Sequence, residues 1–304
     1  MASAGEIKIR IGSIRQTKKV TDAMYMISSV KMRRARREVA STEPYFSALK
    51  EQIRELFQYI PDTNNRYFRA PLPQGRRNRR RGILLVTSDK GLAGSYNQTT
   101  IREAEAYMHR NPETMLFVVG ERGRQYCQNK KIPIVEEFHY FAAFPTVWEA
   151  RKICTDLLEY YDAGQLDEID IIYTEYQNGK PAQCQRNCLL PLERSQLCPT
   201  LDEPPQTGKE FFPDPDTVLE GIIPSYLTGF IYSCLVDSYC SEQEARMTAM
   251  SSAGKNAEEI LKKLQMQYNS LRQAAITREM VEITSGAKAL KRKREKNQSG
   301  GQTF

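Results

Sequence analysis

Along the first part of the chain, Ile7, Ile11, Ile14, Lys18, Thr21, Tyr25, Ser28, Met32 and Ala35 step by alternating fours and threes. That spacing keeps every position on one helical face. It predicts a helix from Glu6 to about Tyr59 whose single seam is turned to a partner helix. Beyond Ile14 the seam is poorly hydrophobic, because Lys18, Thr21 and Ser28 occupy it. Pro44 has no N–H and predicts a kink or one lost backbone bond. The same texture returns late in the chain, where Val236, Cys240, Gln243, Met247, Met250, Gly254, Ala257, Leu261, Leu264, Tyr268, Leu271 and Ala275 form a second heptad track. No proline interrupts Ser225 to Lys288. A helix of that length would extend about 96 Å, too far to be stable without a partner. The N-terminal helix has the matching texture. An antiparallel coiled coil of the two chain ends follows, with a short separate helix over Asp216–Ile223 ahead of Pro224.

Between the helices the period changes. Gly82–Ser88, Met115–Val119, Ile132–Tyr140, Ile169–Tyr176 and Ala182–Leu190 read as strands, and Asn97–Met108, Glu121–Lys130 and Thr146–Tyr161 as helices. This alternation implies a small Rossmann-like α/β domain with a mostly parallel sheet. The fold class is therefore α/β plus all-α. The expected limits are an N-terminal helix over 1–60, a basic linker over 61–81, an α/β domain over 82–208, a C-terminal helix over 209–290 and a disordered basic tail over 291–304.

Composition narrows the function classes. At 304 residues the length prior is about two domains, and 40% apolar with 27% charged residues is compatible with folding. Mean hydropathy is −0.58, and no run approaches the roughly 20 apolar residues of a membrane span, which rules out an integral membrane protein on this reading. The net charge of +7 is local. Residues 1–37 hold ten Lys and Arg against Glu6 and Asp22, Arg76–Arg81 holds five Arg, and Lys291–Phe304 adds five bases against Glu295. The remainder is acidic, so the basic segments suit meetings with acidic surfaces or nucleic acid. The N-terminus is basic and acid-poor in the manner of a transit peptide, although its residues also fit a mature helix. The seven cysteines include no C-x-x-C pair, and His109 and His139 are too far apart for a helical metal pair. The thiols, including Cys184 and Cys188, read as reduced and structural.

Few motifs suggest chemistry. Ser88–Asn97 joins a strand to a helix where phosphate loops occur, but it lacks the G-x-x-x-x-G-K-[ST] order and reads first as a structural turn. Gly120-Glu-Arg-Gly123 misses the dinucleotide fingerprint. The Arg76–Arg81 loop has no interleaved aromatics, so solvation outweighs nucleic-acid binding. No catalytic arrangement, cofactor site or metal site emerges.

Three stretches carry a resemblance. Ile14-Arg-Gln-Thr-Lys-Lys-Val-Thr-Asp-Ala-Met-Tyr-Met26 with Ser29-Val-Lys-Met32 resembles the first helix of the γ subunit of F-type ATP synthases. Val86-Thr-Ser-Asp-Lys-Gly-Leu-Ala-Gly94 is similar to that family's central domain. Ser241-Glu-Gln-Glu-Ala-Arg-Met-Thr-Ala-Met250, Lys255-Asn-Ala257, Tyr268–Glu279 and Glu282–Ala287 resemble its last helix nearly position for position. The likeness is faint between about 125 and 212.

The resemblance implies a non-catalytic central-stalk rotor. Its coiled coil would stand in a hexamer of α and β subunits, with the α/β domain as a foot beside small δ/ε-type subunits and the membrane c-ring. It implies no cofactor, nucleic acid or small-molecule substrate. By the family pattern, Met24, Lys31, Arg33, Arg34, Arg272, Gln273, Thr277 and Glu279 would contact β. The cysteine-containing middle and the added tail suggest the matrix side of a mitochondrial inner membrane, with the cytoplasmic side of a bacterial plasma membrane as the alternative. At Phe211-Phe212-Pro213-Asp214-Pro215 an acid usual in the family is missing, which leaves the residues gripping the ring unassigned. Two other readings stand beside this one: a basic coiled-coil protein binding nucleic acid, and a nucleotide-dependent enzyme built on the α/β domain.

Overall fold

The computed structural model describes residues 3–59, 66–68, 79–177, 182–192 and 212–299, and of these only the backbone of 57–59, 215 and 291–299. The elements are α1 (Ala4–Tyr59), β1 (Arg81–Val86), α2 (Tyr96–Arg110), β2 (Met115–Val119), α3 (Glu121–Lys130), α4 (Val147–Asp162), β3 (Glu168–Glu175), β4 (Gln183–Leu190) and α5 (Pro215–Ser299). The chain divides into two compact units, residues 25–249 and residues 1–24 with 250–304.

The larger unit is built on a four-stranded sheet of order β2-β1-β3-β4. The first three strands are parallel, and β4 runs antiparallel to β3. Successive residues of a strand face opposite ways, so each strand feeds two cores. Ile83, Leu85, Leu116, Val118 and Ile172 meet Ile101, Ala104 and Tyr107 of α2 and Cys127 of α3. Leu84, Val86, Phe117, Val119, Ile169 and Ile171 meet α4 and the parts of α1 and α5 that belong to this unit, including Ile53, Leu56, Leu219, Ile223 and Leu227. Helix α4 starts on a full capping box, in which Thr146 Oγ1 accepts from the Glu149 N–H and the Glu149 carboxylate accepts from the Thr146 N–H.

Ile132–Tyr140 does not form the expected third strand. Its backbone meets β2 only at the Val119–Tyr140 bridge and at the Val135 N–H, which donates to the Leu116 carbonyl at 3.0 Å. Pro133 supplies no N–H, and the buried Arg124 guanidinium donates to the Phe138 and Glu136 carbonyls at 2.7 and 3.2 Å. Side-chain donors thus take the acceptors that a ladder would use. The Gly120–Gly123 pair has a packing role. Gly120 has φ +95°, and a Cβ there would sit 2.4 Å from the Thr87 carbonyl oxygen. The Gly123 N–H donates to Thr87 Oγ1 at 3.0 Å. The glycines let β1 and the start of α3 approach closely.

No separate helix covers Asp216–Ile223, because α5 runs unbroken through Pro224. A proline inside a helix costs about 3 kcal/mol. Here Leu219, Ile223 and Leu227 are almost wholly buried on both sides of it, and their burial offsets that cost. Pro44 lies inside α1 in the same way, between the half-buried Val39 and Phe46 and the buried Ile53. From Leu219 to Arg246, α5 is buried around most of its circumference rather than along one seam. It contains an 18-residue window of mean hydropathy 1.3, long and apolar enough by length and composition to cross a membrane, which corrects the expectation that no segment qualifies. Half of that window is buried inside the protein, as a core helix of a folded domain would be.

In the smaller unit the first turns of α1 pack along α5. Ile7, Ile11 and Leu264 form a cluster flanked by Ile14, Leu261, Tyr268 and Leu271. Lys18 Nζ meets Glu258 Oε2 at 3.3 Å, and a Cβ on Gly254 would lie 3.4 Å from Asp22 Oδ1 and 3.6 Å from Thr21 Oγ1. Partner numbers fall on α5 as they rise on α1, so these segments are antiparallel. Both heptad tracks face inward except at Tyr25 and Ala275, which are exposed; the half-buried Met24 takes the place expected of Tyr25. The helix also passes the expected end at Leu290. Its backbone continues to Ser299, where a disordered tail was expected, and 300–304 lie outside the described residues.

Candidate functional site

The turn after β1 uses its polar groups internally. Asn97 Oδ1 accepts from the Ser88 N–H at 2.9 Å, and Asn97 Nδ2 donates to Ser88 Oγ at 2.7 Å. Asp89 Oδ1 accepts from the N–H groups of Glu121 and Ala142 at 3.2 and 2.9 Å. From α5, Arg246 Nη2 donates to the Lys90 and Gly91 carbonyls at 3.2 and 3.1 Å, and to Glu242 Oε1 at 2.5 Å. Glu242 and Arg246 are both buried. Burial pushes the Glu242 carboxyl up, while Arg246 and, more weakly, Lys31 pull it back. These contacts make Ser88–Gly94 a clamped structural turn and tie together two of the stretches that carry the family resemblance. Glu242 and Arg246 both lie in the Ser241–Met250 stretch, and their i,i+4 spacing is the sequence signal for such a pair.

The basic residues divide by surroundings. Lys31, Arg33 and Arg34 are exposed on α1. Arg34 pairs with Glu38 at 3.7 Å and lies over the Phe144 ring at 4.6 Å, and Arg36 lies over Tyr176 at 5.5 Å. Part of this basic face therefore packs on its own unit. Of the arginine run, residues 76–78 lie outside the described residues. The Arg80 N–H and guanidinium both engage Asp167, and Arg81 engages Asn111 and Glu168. These two residues anchor the start of β1 rather than sit in a solvated loop.

Arg272, Gln273, Thr277 and Glu279 lie on α5 beyond Leu271, and every residue from 272 to 290 is exposed. At 100° per residue, Arg272 and Glu279 fall within about 20° of each other, and Gln273 and Thr277 follow on the adjacent strip. Ile276, Met280 and Ile283 occupy the arc between them and are 46%, 65% and 66% exposed. Met24, in the same unit, is half-buried.

The described residues thus place a four-stranded α/β sheet between two long helices, with the strand-to-helix turn after β1 held by Asn97, Asp89 and Arg246. The family model described as ATP synthase matches residues 3–290. The chain is 34% identical to the ATP synthase gamma chain of Acetivibrio thermocellus over 96% of this chain and all of that one. It is 37% identical to the ATP synthase gamma chain of Ruminiclostridium cellulolyticum, covering 94% and 98% of the two chains. The Euglena gracilis mitochondrial ATP synthase (OSCP/F1/c-ring) contains a chain that aligns at TM-score 0.60 and 14% identity, over 99% of this chain and 97% of that one, and so shares its fold.

The chain belongs to the ATP synthase gamma-chain family. It is a non-catalytic, peripheral central-stalk subunit, the rotor whose rotation is coupled to conformational cycling of the catalytic sites. Both relatives are bacterial, so the mitochondrial placement is not supported and the bacterial alternative fits.

Proposed function

We propose that α1 and α5 form an antiparallel coiled-coil shaft inside a hexamer of α and β subunits. Met24, Lys31, Arg33, Arg34, Arg272, Gln273, Thr277 and Glu279 would face β. The α/β unit would be the foot against small δ/ε-type subunits and the c-ring, at the cytoplasmic face of a bacterial plasma membrane. The observation that carries this reading is the uncovered end of α5, where polar and apolar side chains share one arc and no residue from 272 to 290 is buried. A lone helix of that kind is marginal in water and gains stability from an enclosing surface. Its polar strip would hold the shaft at particular angles, and the apolar residues between would seat in a sleeve without interlocking. Polar and small residues along the seam suit a shaft that must turn against its neighbours.

Replacing Gln273 and Thr277 together by Ala in the assembled complex should lower ATP turnover by tenfold or more. The helicity of the isolated chain should not change, because both side chains are exposed. Unchanged turnover would remove these residues from the contact. Met24→Lys should lower the protons pumped per ATP in reconstituted vesicles.

A further inference from the structure

Strand β1 has β2, the next strand in the chain, on one side and β3 on the other. Where strand order reverses in this way, a crevice opens beyond the C-terminal ends of the two parallel strands, and ligands commonly bind there. Here α5 occupies it. The β1–β3 ladder ends at the Leu85–Ile172 pair, and two residues further along β3 the backbone of Thr174 is bonded to α5 instead. Ser238 Oγ accepts from the Thr174 N–H at 3.2 Å, and the Ser241 hydroxyl donates to the Thr174 carbonyl at 3.3 Å. On the β1 side, Arg246 Nη2 reaches the Lys90 and Gly91 carbonyls. Beside these bonds lies a cavity of only about 20 Å³, lined by Val86, Thr87, Tyr96, Ser238 and Glu242 among others, with room for about one water.

The bonds come from one short stretch of one helix face. Ser241 and Glu242 lie three and four residues after Ser238, Arg246 lies four after Glu242, and all four are buried. The stretch ends just before residue 249, the last of α5 that belongs to the larger unit. A twist carried along α5 out of that unit therefore passes through it. The neighbouring Leu235, Val236, Tyr239 and Cys240 hold α5 down by apolar burial, which has no preferred direction. A hydrogen bond has one. Turning α5 by about 20° about its axis would carry a side-chain atom about 2 Å sideways and break such a bond.

We propose that Ser238, Ser241 and Arg246 form a torsional lock. As positioning residues they fix the angle of α5 on the sheet, so that torque on the α/β unit reaches the shaft instead of rolling the helix in its apolar bed. The lock deepens the rotor reading and rests on the α/β unit being the foot.

In the assembled catalytic head, a rod tethered to α2 and turned by ATP hydrolysis reads the torque that crosses this joint. The lock consists of four hydrogen bonds to sheet and turn backbone, one each from Ser238 and Ser241 and two from Arg246. Replacing both serines by Ala removes two of the four and should lower the stall torque by up to about half, with Ser238→Ala alone falling between. ATP turnover without the rod should stay at the wild-type rate in both. Leu235→Val weakens the apolar packing of the same stretch without removing a bond, and should keep wild-type torque. Wild-type torque in the double variant, an equal loss in Leu235→Val, or an equal fall in turnover without load would overturn the lock. Lower rod torque with an unchanged ATP-driven ion gradient in reconstituted vesicles would keep the lock and instead remove the α/β unit from the path to the c-ring.

Discussion

The close approach of α5 to α1 at Gly229 gives the sharpest test of the packing. A Cβ built on Gly229 would lie 2.0 Å from Phe46 Cδ1 and 2.5 Å from both Cε1 and Cγ, where carbon contacts are ordinarily about 3.5–4.0 Å. Because Cγ is among the three atoms, rotating the ring in place does not relieve the clash, and the whole side chain must withdraw. Phe46 packs on the Tyr232 ring at 6.3 Å and on Tyr45 at 5.2 Å, so withdrawal also costs those contacts. Overpacking of this kind costs about 1–3 kcal/mol, against a gain of about 1 kcal/mol in helix propensity. Gly229→Ala should therefore destabilise the unit by up to about 2 kcal/mol. Gly221 is the internal control: it lies on the same helix with no atom within 4 Å of a built Cβ, and Gly221→Ala should stabilise by about 0.5–1 kcal/mol. Urea midpoints followed by circular dichroism should move in opposite directions with unchanged m. In the background Phe46→Ala, the penalty at Gly229 should vanish, a coupling of about 1–3 kcal/mol. If Gly229→Ala stabilises as much as Gly221→Ala does, α1 and α5 do not meet there as described.

Asp237 on α5 is half-buried near Glu175, and desolvation first and that neighbouring charge second raise its carboxyl to about 7. The fold thus favours the protonated acid, so its contribution to stability is fully present below pH 4 and lost as pH rises to about 7. Asp237→Asn should flatten that part of the pH–stability curve and be more stable than wild type at pH 8, by up to about 4 kcal/mol. Arg246→Ala leaves Glu242 buried and unpaired and frees the Lys90 and Gly91 carbonyls, so it should cost about 3–5 kcal/mol in chemical unfolding; Arg246→Ala with Glu242→Gln should recover part of that loss. Thr146→Ala removes the capping box of α4 and should lower stability by about 1 kcal/mol in the same assay.

Periodicity carried the sequence reading a long way, and it stopped where side chains from distant parts of the chain decide. β1 to β3 and α2 to α4 were visible because the helices have one apolar face and these strands are short apolar runs, whereas β4, Gln183–Leu190, is largely polar until Leu189. Ile132–Tyr140 has the composition of a strand, but Pro133 removes a donor and Arg124 takes the carbonyls, an effect of a residue on the preceding helix. The break expected at Pro224 is a local preference overridden by the burial of Leu219, Ile223 and Leu227. The candidate contact residues on α5 were named from family likeness, and their exposure is the part that only coordinates supply. The clamp on Ser88–Gly94 joins Arg246 to Lys90 and Gly91, residues far apart in sequence, so no local pattern announces it.

One helix meets three different environments along its length, and the sequence changes with each. Over Leu219–Arg246 the side chains of α5 are buried nearly all round, so this stretch unfolds only with the sheet. Over Met250–Leu271 burial narrows to the heptad positions Met250, Gly254, Ala257, Leu261, Leu264, Tyr268 and Leu271, with Ser251 and Ala253 half-buried beside them, a seam of small and mixed residues facing α1. From Arg272 to Leu290 every residue is exposed. Resistance to local opening should fall in the same order, since it follows the apolar contacts each turn would have to break. Amide exchange of the isolated chain should therefore be slowest between Leu219 and Arg246, intermediate to Leu271 and fastest from Arg272 to Leu290. In the assembled complex only the last stretch should slow by orders of magnitude, because it alone has every side chain left for another subunit to cover. Equal protection of Arg272–Leu290 in the free and assembled states would mean that the uncovered arc is not the surface a sleeve encloses.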